Sequence, residues 1–172
     1  LQCSVCGASS GGGGPVASAR TRPGETRVMQ QESQPTAPSG RRGVVAITRR
    51  SSDGRFLVIR RGRTVMAGGQ VCFPGGHIEP GEGEDEAIVR ECQEELAARV
   101  EATACVWRSV TTWGTSLAWW SVVLDEGEPL VPHPVEVDEI LWLSPQEMLD
   151  HPELLQGNRP FLEAVIEGRL EV

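Results

Sequence analysis

The chain has 172 residues, 39% of them hydrophobic and 23% charged, which is enough for one domain with a core that needs neither disulfides nor a structural metal. A formal net charge of -8 argues against broad electrostatic binding to nucleic acid or an anionic membrane, so an anionic substrate would need local cations. No window approaches 18 consecutive apolar residues and the N-terminus lacks an apolar signal stretch. Together with five cysteines, an odd number, this points to a soluble protein in the reducing cytoplasm.

Residues 1–42 are rich in Gly, Ser, Pro, Gln and Thr and lack aliphatic periodicity. They read as a disordered N-terminal tail ahead of a domain spanning 43–172. The tail holds Cys3 and Cys6 as "CSVC", half of a zinc site for which no second pair follows. The β-branched run "GVVAITRR" predicts a first strand, the turn "SSDG" follows, and "RFLVIRR" predicts a second strand, the two forming a hairpin. After "GRTVMAGGQ" a short strand "VCF" runs into Pro74-Gly75-Gly76, where regular structure must break. From Glu84 to Ala98 there is no Gly or Pro, and Ala87, Ile88, Cys92 and Leu96 recur at helical spacing. Three strand-like segments come next, "VEATACVWRSVTTW", "SLAWWSVVLD" and "EVDEILWLS". Ser144, Pro145 and Glu147 form the signature of a capped short helix, and "NRPFLEAVIEG" a last helix stopped by Gly168. This order implies an α/β fold, a mixed sheet sandwiched between α-helices.

The chemistry concentrates in "FPGGHIEPGEGEDEAIVRECQEELAA". Glu91, Glu94 and Glu95 share one turn of helix with only Arg90 beside them, and like charges at that spacing repel by a few tenths of a kcal/mol per pair. A divalent cation of the oxygen-loving kind, Mg²⁺ or Mn²⁺, would resolve the repulsion. Ahead of the helix, Gly75, Gly76 and Gly81 permit close approach of backbone to ligand while Pro74 and Pro80 stiffen the path. For "RECQEEL" alone, a solvated helix face is the plainer reading.

The full spacing changes that balance. Gly76, five residues, Glu82, seven residues, then Arg90-Glu91-Cys92-Gln93-Glu94-Glu95-Leu96-Ala97-Ala98 resembles the Nudix box, GX5EX7REUXEEXGU with U aliphatic. It departs in two places: Cys92 stands at an aliphatic position, and Ala97 replaces a glycine, which asks whether the helix ends there in a left-handed residue. The resemblance implies a Nudix hydrolase that cleaves a nucleoside diphosphate linked to another group by attack of water on phosphorus, with Mg²⁺ or Mn²⁺. It implies Glu91, Glu94 and Glu95 as metal ligands, the Gly76 carbonyl as a further one, Glu82 as support for the loop and the metal, and Arg90 as the group that orients the glutamates.

The general base stays open between Glu94 or Glu95 and, from "PVEVDEILW", Glu136 or Glu139, of which Glu139 is carried forward. His77 and His133 read as solvated loop residues. Arg60, Arg61 and Arg63 are candidates for phosphate contact, although alternation along a strand lets only one of Arg60 and Arg61 face the cleft. The five tryptophans read mainly as packing residues. "GGQVCFPGG" resembles the run leading into the box of coenzyme A pyrophosphatases, but Val65 stands where that subgroup has an Arg. The expected partner is a nucleotide-derived small molecule, with no nucleic acid and no membrane, and sheet edges offer a route to a homodimer. A non-catalytic nucleotide-binding module and an acidic docking domain are the competing classes.

Overall fold

The computed structural model describes residues 40–172 except positions 126 and 128. The expected tail, with Cys3 and Cys6, lies almost wholly outside the described residues. Six strands and three helices follow in the order β1 (Arg42–Ile47), β2 (Phe56–Arg61), β3 (Val71–Cys72), α1 (Glu84–Leu96), β4 (Val100–Val110), β5 (Ser116–Leu124), β6 (Val137–Leu143), α2 (Pro145–Leu149) and α3 (Arg159–Ile166), the last preceded by a 3-10 turn at Gln156–Asn158.

The strands form two three-stranded sheets, β1-β5-β4 and β3-β2-β6. β1 runs parallel to β5, β4 antiparallel to β5, and β2 antiparallel to both β3 and β6. The expected β1–β2 hairpin is therefore a correction. The turn closes, with Arg50 N donating to Arg55 O and Leu57 N to Thr48 O, but the strands then diverge. They diverge because the free edge of β1 is taken by residues after β3. Ala46 N donates to Pro74 O at 2.8 Å, Val44 N to Gly76 O at 2.9 Å, and Ile78 N to Arg42 O at 3.1 Å. Residues 71–78 thus pair first with β2 and then with β1, and join the two sheets along one line.

β1 and β2 are apolar on both faces because both faces are covered. Val44, Ala46, Leu57 and Ile59 pack with Ala87, Ile88, Cys92 and Leu96 of α1, while Val45, Ile47, Phe56 and Val58 pack with Met148, Phe161 and Leu162 of α2 and α3. Full burial of such side chains is worth about 1.5–3 kcal/mol each. Trp119 lies in the second layer, stacked on Phe161 with centroids 4.8 Å apart, its Nε1 donating to Ser109 Oγ. Trp142 lies beneath the Arg50 guanidinium, and Trp113 is 74% exposed on the β4–β5 turn. The caps expected for α2 are present: Glu147 N donates to Ser144 Oγ and Ser144 N to the Glu147 carboxylate. Among the described residues no helix is long and apolar enough to cross a membrane.

Candidate metal centre

Helix α1 is capped ahead by Gly83, whose N–H donates to the Glu86 carboxylate, and behind by Ala97 in the left-handed region, φ 51° and ψ 25°. Ala97 N and Ala98 N turn back to Gln93 O and Cys92 O, which satisfies carbonyls that would otherwise be orphaned. The backbone therefore keeps the glycine-type ending with alanine in the glycine position. Cys92, 2% exposed, packs as a small apolar residue, and burial pushes its thiol up to about 12.

Between its ends the helix lays its carboxylates against the glycine loop. Gly75 N donates to Glu95 Oε2 at 2.9 Å, and Glu95 is only 4% exposed. A Cβ on Gly76 would come within 2.4 Å of the Glu91 carboxylate, so only glycine lets that carboxylate seat there. Gly75 itself has φ +142° and lies against the Val44 carbonyl, where a Cβ would stand 2.1 Å away.

Arg90 gathers the remaining acids. Its Nε donates to Glu82 Oε1 at 2.8 Å, its Nη1 to Glu91 Oε1 at 3.0 Å and Glu94 Oε2 at 3.1 Å, and its Nη2 to the His77 carbonyl at 2.9 Å. Glu82 also accepts from Glu79 N, so it ties loop, arginine and helix together. The Arg90 bond holds the Glu82 carboxyl below its ordinary range. Burial has the opposite effect deeper in: it raises Glu91, and it lifts Glu95 to about 7 against the opposing Gly75 N–H, with the neighbouring charge of Glu91 adding to the rise.

Two groups from β2 and the loop before β6 complete the surroundings. The Arg61 guanidinium lowers Glu95, while the Glu136 carboxylate raises both Glu91 and Glu95, and strand alternation sets Arg61 on the α1 face with Leu57 and Ile59. The Glu136 loop is fastened there by His133, whose N donates to Glu95 O at 2.8 Å and whose Nδ1 accepts from Glu136 N at 3.3 Å. His77 is exposed and takes part through its carbonyl.

Of the sequence candidates, Arg90, Glu91, Glu94, Glu95, Gly76, Glu82 and Arg61 thus come together. Glu139 and Arg60 do not join them. They pair with each other at 3.1 Å on the opposite face, where Arg60 also binds Glu153 and Gly69 O. The strand alternation of β2 explains this: Arg60 follows Phe56 and Val58, and Arg61 follows Leu57 and Ile59. Arg63 is 91% exposed and reaches Asp138 at 3.8 Å. No local pattern marks the positioning role of His133, because its N–H donates to Glu95 O, 38 residues away in the sequence, while its Nδ1 holds the loop.

The donor set fits a hard divalent cation: carboxylate oxygens, a carbonyl-bearing glycine pressed against one of them, and the part-buried Glu91 and buried Glu95, whose desolvation outweighs the pull of Arg90 and Arg61. Among the described residues no three acidic, His or Cys side chains already converge into a cage. Glu91 and Glu94 are turned toward Arg90 and Glu95 toward Gly75 N, so binding a cation requires side-chain rotation within the cluster.

Known proteins resemble this chain in sequence and in fold. A family model described as "NUDIX domain" matches residues 40–165. The CTP pyrophosphohydrolase of Escherichia coli (strain K12) is 36% identical over 131 residues, covering 73% of this chain and 91% of that protein. The solution structure of the E. coli ORF135 protein is similar at 32% identity and a TM-score of 0.58, over 75% of this chain and 90% of the other. A MutT protein from Methanosarcina mazei Go1 shares the fold at a TM-score of 0.64 and 22% identity, over 75% and 94% of the two chains.

Proposed function

The chain belongs to the Nudix family of hydrolases, enzymes that cleave pyrophosphate bonds, and from that premise we propose that its substrate is a nucleoside triphosphate of the CTP kind, cleaved with Mg²⁺ or Mn²⁺. The seating of Glu91 on Gly76 and of Glu95 on Gly75 N carries the hydrolase reading, and the likeness to the CTP pyrophosphohydrolase supports the nucleoside triphosphate. Glu91, Glu94 and Glu95, with the Gly76 carbonyl, would hold the cation. When bound, such a cation neutralises diphosphate charge and makes water a better nucleophile.

The protein's own groups do the rest. Arg61 presents a guanidinium fork to a phosphate on the same face as the carboxylates. Arg90 holds Glu82, Glu91 and Glu94 in place, and Glu82 fixes the loop that carries Gly76. Glu136, carried on the loop that His133 fastens to the end of α1, takes the proton of the attacking water on a carboxylate oxygen. Water adds to phosphorus, the bridging P–O bond breaks, and pyrophosphate leaves with the bonding pair.

The decisive experiment is product release from a panel containing CTP, other nucleoside triphosphates, ADP-ribose, a nucleotide sugar and coenzyme A, with and without Mg²⁺. The expected result is metal-dependent hydrolysis with a nucleoside triphosphate as the best substrate. Tight nucleotide binding with no product at any metal concentration would identify a sensor instead, and a preference for coenzyme A would move the protein to that subgroup.

A further inference from the structure

Gln70 poses a question that the metal centre does not answer. Its Oε1 is a buried side-chain oxygen with no hydrogen-bond partner among the described residues, a condition that native interiors keep rare because burial removes water without replacing it. The residue sits beside the centre. Arg61 N donates to Gln70 O at 2.9 Å and Gly69 N to Arg61 O at 2.8 Å, so Gly69 and Gln70 together oppose one residue of β2 in a bulge. Cys72, two residues further along, packs in the core beneath α1, and strand alternation carries Gln70 to that same face, next to Arg61.

The loop that presents Gln70 is held tightly. Arg61 Nε donates to Met66 O at 2.9 Å, Arg60 Nη1 to Gly69 O at 3.1 Å, and Gln70 N to Ala67 O at 3.2 Å. Ala67 has φ +56°, a left-handed conformation that disfavours any residue with a side chain. Such strain survives only where the surroundings enforce it, and it gathers at ligand clamps. Gln70 as a whole is only partly buried, and the terminal torsion of a glutamine is soft and roughly two-fold. Its amide can turn about that torsion toward the Arg61 side of the sheet.

We propose that Gln70 is a specificity-determining residue whose side-chain oxygen accepts a hydrogen bond from an N–H or O–H group of the nucleoside, beside the diphosphate contacted by Arg61. This rests on the reading of the centre as a nucleotide hydrolase. The donor is either a ribose hydroxyl or the amino group of the base, and both offer the same chemistry to an amide oxygen. A site built to bond such a group discriminates strongly against analogues that lack it.

The test compares wild type with Gln70→Leu and Gln70→Glu. It uses equilibrium binding of the α,β-methylene analogues of CTP, UTP and 2′-deoxy-CTP with Mg²⁺, alongside turnover of the parent nucleotides. Gln70→Leu should weaken binding of the donor-bearing nucleotide at least tenfold and that of its donor-lacking counterpart less than threefold, with kcat nearly unchanged, while Gln70→Glu keeps part of the preference. A loss confined to the CTP–UTP contrast identifies the base amino group, and one confined to the ribo–deoxy contrast the 2′-hydroxyl. Equal weakening across the panel, or none, overturns the proposal, as does a large drop in the melting temperature of ligand-free Gln70→Leu, which would make the amide a structural element. Failure of the wild type to turn over any nucleotide would overturn the functional reading alone, since the binding contrasts still decide Gln70.

Discussion

Arg90 and Arg60 each hold several carboxylates, one on either side of the β-structure, and both side chains are 24% exposed. Arg90 binds Glu82, Glu91 and Glu94; Arg60 binds Glu139 and Glu153. The acids around Arg90 adjoin bare glycine backbone and a fourth, deeply buried carboxyl, so they form part of the candidate centre. Those around Arg60 are half-exposed and their charge is spent on the arginine itself. A guanidinium with several acids is therefore no site until the backbone beside it leaves room for a ligand.

Removing carboxylates should separate the two clusters most sharply. Glu95→Gln is expected to lower kcat with CTP and Mg²⁺ by about 10²–10⁴-fold, whereas Glu139→Gln stays within about threefold. Comparable losses in both variants would erase the distinction between the faces. Removing the arginines comes next. Arg90→Ala should lower turnover by roughly tenfold or more, because three acids lose the group that orients them, while Arg60→Ala should cost about 1 kcal/mol or less in urea unfolding and leave kcat intact.

A smaller effect tests the helix on which the Arg90 cluster is built. Ala97→Gly should raise stability by about 1 kcal/mol, read as a higher unfolding midpoint, because glycine adopts φ 51° without the penalty that alanine carries. The smallest concerns the reverse arrangement at Glu84, one carboxylate served by Arg108, Arg42 and Trp120 Nε1. The Arg108 bond in particular holds Glu84 below its ordinary value of 4.5. Its contribution to stability is thus present in full above that pH and is lost as the pH falls through the lowered value. Glu84→Gln should flatten the acid limb of the stability profile below about pH 4.5, and an unchanged limb would contradict the pairing.

The same contrast explains what the sequence made legible. Every acid around Arg90 lies within nine residues of it, at helical spacings or on the loop just ahead, so local geometry almost determines the cluster. The partners of Arg60 lie 79 and 93 residues away; Glu139 is placed by the pairing of β2 with β6, and Glu153 by the backbone bond from Val71 N to Glu153 O. Alternation in "EILWL" does place Glu139 on the face of Leu141, but which face α1 covers is a tertiary fact. Glu136 escapes that uncertainty only in the structure, where His133 draws its loop to the end of α1. The β1–β2 hairpin differs from its sequence signal for a related reason: a turn signal specifies that the chain reverses, and the competing claim of residues 74–78 on the edge of β1 is not local. Gln70 lies within "GGQVCFPGG", but nothing in that run marks its side chain, and only packing reveals that its oxygen is unpaired.

Residues 71–78 also divide the molecule into places that tolerate change and places that do not. That segment satisfies β2 on one stretch and β1 on the next, so a single inserted residue would misalign one sheet, flip alternate side chains and pull Gly75 and Gly76 away from their carboxylates. The β4–β5 turn around Trp113 bears no such double duty. It is the natural position for a fluorescent label, a peptide tag or an inserted domain in engineered versions of this enzyme.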